Sequence, residues 1–179
     1  MLAARFTPER LTVEKGFTFI EMLVAMAVMA TLGLLATPSL RDYLRDCRRA
    51  ATVNAVAHAV YTARALAGAL GQSVELCAST DGRNCGGGTD WTGSLLLRAP
   101  ASGSAPLRVV PLSLDRSRQS LRSNREVLRF APLAPSATTA TLIVCDDRGS
   151  PAAAAVIVSR TGRPRIADRD ASGRRLTCP

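Results

Sequence analysis

The hydrophobic pattern of this chain changes period once, near its middle. From Phe17 to Leu40 the run FTFIEMLVAMAVMATLGLLATPSL extends for 24 residues with Glu21 as its only charge. A helix of that length crosses a hydrocarbon core. The next stretch, RDYLRDCRRAATVNAVAHAVYTARALAGAL, stays rich in helix formers but turns amphipathic. Val53, Val56, Val60, Ala63, Ala67 and Leu70 recur three and four apart and make one apolar stripe. Phe17 to Leu70 therefore reads as one helix of about 80 Å at roughly 1.5 Å per residue. Gly33 and Pro38 are expected to bend or loosen it, and Gly71 to end it.

Past Gln72 the helical period disappears. SVELCA, SLLLRA, LRVVPLSL, EVLRFAP, ATLIVCD and AAAAVIVSR are short apolar runs, several of them alternating, with Gly, Pro, Ser and Asp between them. They predict a mostly antiparallel sheet, or two sheets, packed on the amphipathic half of the helix. The fold class is α+β. Residues 17–40 form a transmembrane or assembly half of the helix, 41–71 its amphipathic half, and 72–179 a small β-rich domain with a basic tail.

Charge sharpens this picture. The chain carries 23 Lys+Arg against 14 Asp+Glu, and Lys15 is its only lysine. Arginine presents a planar fork of donors suited to phosphate, although a bias toward arginine and alanine gives the same composition. Arg41, Arg45, Arg48 and Arg49 follow the apolar run, while Arg5, Arg10 and Lys15 precede it, so charge alone fits either orientation in a membrane. Arg160, Arg163, Arg165, Arg169, Arg174 and Arg175 crowd the tail against Asp168 and Asp170. Arg163 and Arg165, one residue apart, share one side of an extended chain and could grip successive phosphates. Gly162 permits a tight turn before them, and Pro164 stiffens the segment. Arg116, Arg118, Arg122, Arg125 and Arg129 form a second basic stretch, either a wider footprint or a solvated loop.

An apolar export-type segment implies an oxidising compartment, where cysteines pair. Cys77 and Cys85 flank a Gly-rich loop they could close. Cys145 and Cys178 could staple the tail to a strand, leaving Cys47 over. No zinc spacing exists and no metal or other cofactor is expected. NCGGGTDWTG lacks the Lys-Ser/Thr of a phosphate loop, CDDRG reads as a turn, and Trp91 reads as core. His58, the only histidine, lies on the helix without a nucleophile beside it. The chain is not expected to be an enzyme.

Glu21 remains the anomaly, because a charge in hydrocarbon costs about 2.5 kcal/mol or more. KGFTFIEML, from Lys15 to Leu23, resembles the type III signal of type IV pilins and pseudopilins: a basic residue, glycine, phenylalanine, then glutamate five residues into the mature chain. Pro38 falls where pilins carry a helix-kinking proline. The resemblance implies a 1–16 leader, cleavage between Gly16 and Phe17 by a prepilin peptidase, and methylation of the Phe17 amine. It also implies insertion in the inner membrane. In the filament Glu21 would pair with a neighbouring subunit's ammonium, an interaction that sets geometry more than stability.

VELCASTDGRNCGGGTDW, LIVCDDRG and VIVSRTGRPR are similar to the FimT/GspH branch of that superfamily. Residues 98–124 match nothing in it. Some FimT-type members bind DNA during natural transformation through a Gly-Arg-x-Arg motif, supplied here by Gly162, Arg163, Pro164 and Arg165. The resemblance thus implies a minor pilin whose β-rich domain faces the periplasm, or the exterior once assembled. There it would bind double-stranded DNA without sequence preference. The alternative is a structural pseudopilin of type II secretion, or a pilus-priming subunit, that contacts only other pilins.

Overall fold

A computed structural model describes residues 16–102, 105–112, 114–115, 117–133 and 136–178. The expected leader, except Gly16, and Arg116 of the second basic stretch lie outside the described residues. One helix, α1 (Phe19–Leu70), is followed by eight strands: β1 (Val74–Ser79), β2 (Ser94–Arg98), β3 (Pro106–Pro111), β4 (Gln119–Ser123), β5 (Val127–Phe130), β6 (Ala140–Asp146), β7 (Ala154–Val158) and β8 (Pro164–Ala167). The contacts divide the chain into two units, Met1–Asp42 and Tyr43–Pro179.

In the first unit the helix is apolar on every side, and Phe17, Phe19, Met26, Met29, Leu34 and Leu35 are all more than 65% exposed. A helix that is hydrophobic all round suits lipid or a bundle of like helices rather than water. Helical assignment continues through Pro38 without a break. Nearby, the Thr37 hydroxyl donates to the carbonyl of Gly33 at 2.6 Å.

The second unit is built on the amphipathic half of α1. Thr52, Val53, Val56, Ala59, Val60, Ala63 and Ala67 are its buried positions. The expected stripe fails only at Leu70, which is 44% exposed. Leu70 is the last helical residue, and Gly71 (φ 64°) turns the chain away before β1 begins.

Two antiparallel four-stranded sheets pack on this stripe, one in the order β3-β2-β1-β5 and the other β4-β6-β7-β8. Side chains alternate between the faces of a strand. Val74, Leu76, Leu95, Leu97, Leu128 and Phe130 of the first sheet therefore join Leu121, Leu142, Val144, Val156 and Val158 of the second in one core with the helix. Trp91, fully buried, joins the same cluster and donates its Nε1–H to the carbonyl of Arg125 at 3.1 Å. The alanines of the helical stripe, Ala59, Ala63 and Ala67, let the sheets approach the helix closely. Each fully buried leucine of the sheets contributes about 2 kcal/mol.

The outer faces are covered by short segments under covalent ties. Cys77–Cys85 closes the Gly-rich loop onto β1, and Cys145–Cys178 ties the tail to β6. Leu176 buries itself against Ala155 and Ile157 on the outer face of the second sheet. Cys47 is free and exposed. Replacing Leu142, fully buried on the middle strand β6, with Ala should cost about 2–5 kcal/mol of unfolding free energy, read from urea denaturation of the detergent-solubilised chain.

Candidate functional site

Gly16 and Phe17 precede the first helical residue, and Phe17 is 86% exposed. Glu21 is engaged within its own chain. Its Oε2 accepts the Thr18 backbone N–H at 2.7 Å and the Thr18 hydroxyl at 2.9 Å, while the Glu21 N–H donates to the Thr18 Oγ1 at 3.3 Å. This reciprocal pattern is a capping box, in which Thr-x-x-Glu satisfies the free N–H groups at a helix start. Thr18-Phe19-Ile20-Glu21 was legible as that motif, but reading the carboxylate only as an inter-subunit partner missed its role in starting the helix.

The arginine motif lies on a β-hairpin. The turn between β7 and β8 is closed by Gly162 N–H to Ser159 O at 2.8 Å and Ser159 N–H to Arg163 O at 3.1 Å. Gly162 is buried with φ 72°, and a Cβ there would meet Phe130 at 3.2 Å and Ala137 and Arg64 at 3.3 Å. Glycine is demanded twice, by backbone conformation and by close approach. Arg160 stands in the turn, and its carbonyl accepts from Ala137 N–H at 2.7 Å. Arg165 is opposite Ile157 on β8, at the sheet's edge, and strand alternation gives Arg163 the same face. The segment expected as an extended tail is thus partly a strand.

Beyond β8 the chain makes a second hairpin, in which Arg169 bridges Arg175. Asp170 organises its tip. Its carboxylate accepts from the Ser172 N–H (2.8 Å), the Ser172 hydroxyl (2.9 Å), the Arg174 N–H (2.9 Å) and the Arg174 Nε (2.9 Å). Burial works against the Asp170 charge, but these bonds together outweigh it and hold the carboxyl down at about 2. Arg169 donates to the carbonyl of Gly173 at 3.1 Å.

The predicted cations therefore separate into two groups. Arg174 is paired with Asp170, and Arg169 is bound to the hairpin backbone. Arg160, Arg163, Arg165 and Arg175 are exposed, and none has a carboxylate partner among the described residues. The second stretch also divides. Arg129 reaches Glu75 at 2.7 Å and Arg118 reaches Asp115 at 3.7 Å, whereas Arg122 has no such partner among the described residues.

In the cluster after the apolar run, Arg45 and Arg49 are likewise committed. Arg45 pairs with Asp147 at 2.9 Å, and Asp46 receives Arg49 at 3.0 Å and Arg148 at 2.7 Å. Arg49 also donates to the carbonyl of Ala152. CDDRG is a turn, closed by Gly149 N–H to Asp146 O at 3.0 Å, and it locks onto α1 through these charges. Arg148 bound to Asp146 and Asp46 is held even more firmly protonated than a free guanidinium.

A family model described as type II transport protein GspH matches residues 52–162, and a model of the prokaryotic N-terminal methylation motif matches residues 12–37. The chain belongs to the GspH family. It is a minor pilin or pseudopilin, and the family implies assembly with other pilins and processing by a prepilin peptidase. The methylation motif and the apolar helix fit anchorage in the inner membrane. Two crystal forms of the Pseudomonas aeruginosa type IV minor pilin FimU share the fold, each with a TM-score of 0.53. They are 20% and 21% identical to this chain, cover 72% of it, and are themselves covered over 98% and 92% of their lengths. No curated protein sequence matches.

Gly162→Ala should lose about 1–3 kcal/mol of stability, measured by urea denaturation, because the methyl group meets both the strained φ and the three close neighbours. For Asp170, whose folded pKa lies below the ordinary 3.8, the stabilisation is full above about pH 4 and is lost as pH falls through about 2. The Gly173 amide resonance should therefore move with acid in that window in the parent chain and stay still in Asp170→Asn.

Proposed function

We propose that this GspH-family subunit binds double-stranded DNA through Arg163 and Arg165, without sequence preference, as part of DNA uptake. The observation that carries this reading is the set of four exposed arginines, Arg160, Arg163, Arg165 and Arg175, left without carboxylate partners among the described residues around an edge strand, while other arginines are consumed in ion pairs. Uncompensated guanidinium groups on a held backbone gain most from phosphate, by releasing the counterions condensed on DNA. The disulfide from Cys145 to Cys178 limits the freedom the tail can lose on binding. Anchored by its apolar half-helix, the subunit presents the β-rich unit to the periplasm and, after assembly, to the cell exterior. Its role is assembly and binding rather than catalysis.

The description of the matching family as a transport protein favours a second reading, a structural subunit of a type II secretion pseudopilus. The same arginines would then face neighbouring subunits.

The two readings separate on the detergent-solubilised full chain, titrated with a labelled duplex at several salt concentrations. The logarithm of affinity should fall linearly with the logarithm of salt. Arg163→Ala/Arg165→Ala should flatten that slope by about 1.8, at 0.9 for each phosphate that is no longer neutralised. Unchanged binding by the double variant would reject the site. A parent chain that binds no duplex even at low salt would reject DNA binding and leave the structural role.

A further inference from the structure

We infer that Arg122 is a further nucleic-acid contact, and that the groove between β4 and the tail hairpin seats a phosphodiester segment of the duplex held by Arg163 and Arg165. This inference rests on the DNA-binding reading above.

Topology makes the connection. Arg122 lies in register with Ile143, which faces Ala155, which faces Ala167 on β8. Arg165 lies in register with Ile157, and Ile157 with Thr141. Both rows point away from the helix, because their neighbours Leu121, Leu142 and Val156 are the ones in the core shared with α1, while Ala155 and Ile157 lie under Leu176 on the other face. Arg122 and Arg165 thus share the outer face of one sheet although they lie far apart in sequence. Three strand spacings of about 4.8 Å and two residues of about 3.4 Å put their backbones about 16 Å apart. That is too far for neighbouring phosphates of one strand, and it suits backbones on either side of a groove about 12 Å wide.

The local site is a cavity of about 450 Å³ lined by Arg122, Asn124, Thr141, Ser172, Arg174 and Thr177, among others. Its one carboxylate among the described residues, Asp170, is matched by Arg174 at 2.9 Å, which leaves Arg122, bridged across the strands to Asp90 but in no ion pair among the described residues, as the other charge on the lining. The Asn124 carbonyl oxygen accepts from Thr141 N–H at 2.9 Å, so its NH₂ remains available as a neutral donor. Together with the hydroxyls of Thr141 and Thr177, this is a lining for an anion carried on a polar chain. An apolar ligand would strand these donors, and a cation would be repelled.

The test uses the detergent-solubilised full chain and the same labelled duplex. Arg122→Ala should weaken binding several-fold at low salt and reduce the salt slope by about 1, additively with Arg163→Ala/Arg165→Ala, while Arg122→Lys keeps the parent slope. A parent slope in Arg122→Ala, with a reduced slope in Arg163→Ala/Arg165→Ala, would overturn the inference and leave the DNA reading standing. Loss of co-assembly with other pilins in Arg122→Ala, with the DNA slope unchanged, would assign the groove to an acidic protein surface and overturn it as well. Failure of the parent to bind duplex removes both.

Discussion

The β-rich unit depends on burying one stripe of a helix that is soluble on only part of its surface. No strand is shared between the two sheets, and the chain passes from one to the other and back: β4 joins the second sheet, β5 the first, β6 the second. What gives them a common inner side is the row from Val53 to Ala67. Because the row is made of valine and alanine, both sheets can lie close to the helix, and the leucines they contribute fill the space between. The same helix has no stripe at all in its first half. One element thus serves two environments, with water excluded by protein at one end and, in the family's setting, by lipid or neighbouring subunits at the other.

Charge is sorted on top of that core. Several arginines do structural duty beside carboxylates: Arg45, Arg49 and Arg148 bind the turn after β6 to the helix, and Arg98 and Arg129 enclose the nearly buried Glu75 on β1. Removing the arginines from Glu75 or Asp146 strands a buried carboxylate away from water, so Arg98, Arg129 and Arg148 are poorly free to leave for a ligand. Among the described residues, the second sheet and its tail keep Arg122, Arg160, Arg163, Arg165 and Arg175 outside such pairs.

Much of the fold was legible because apolar runs of period two and a helical stripe are direct consequences of burial. The strands that the pattern did not predict, β4 (QSLRS) and β8 (PRIA), are both edge strands, and each carries an arginine on its outer face. With one or two apolar residues apiece they give almost no periodic signal. The glycine of the arginine motif was legible as a turn residue, but the crowding by Phe130, Ala137 and Arg64 that also requires it is a tertiary fact. In the same way, the sequence shows many arginines and cannot show which ones face Asp147, Asp46 or Glu75. Arg122 was visible only as a member of a basic run. Its place on the same sheet face as β8's arginine comes from the strand order β4-β6-β7-β8, which no local pattern encodes.

The bond between Cys145 and Cys178 has a mechanical side. An edge strand pulled by its side chains ordinarily peels from its neighbour, losing one backbone hydrogen bond at a time at low force. Here the segment after β8 returns to β6 and is covalently closed there, so residues 145–178 form a loop that cannot be drawn out past its own contour. Traction applied to the arginines of β8 ends on a sulfur–sulfur bond in the interior strand of the sheet, and the load is shared by the strands that the loop encloses.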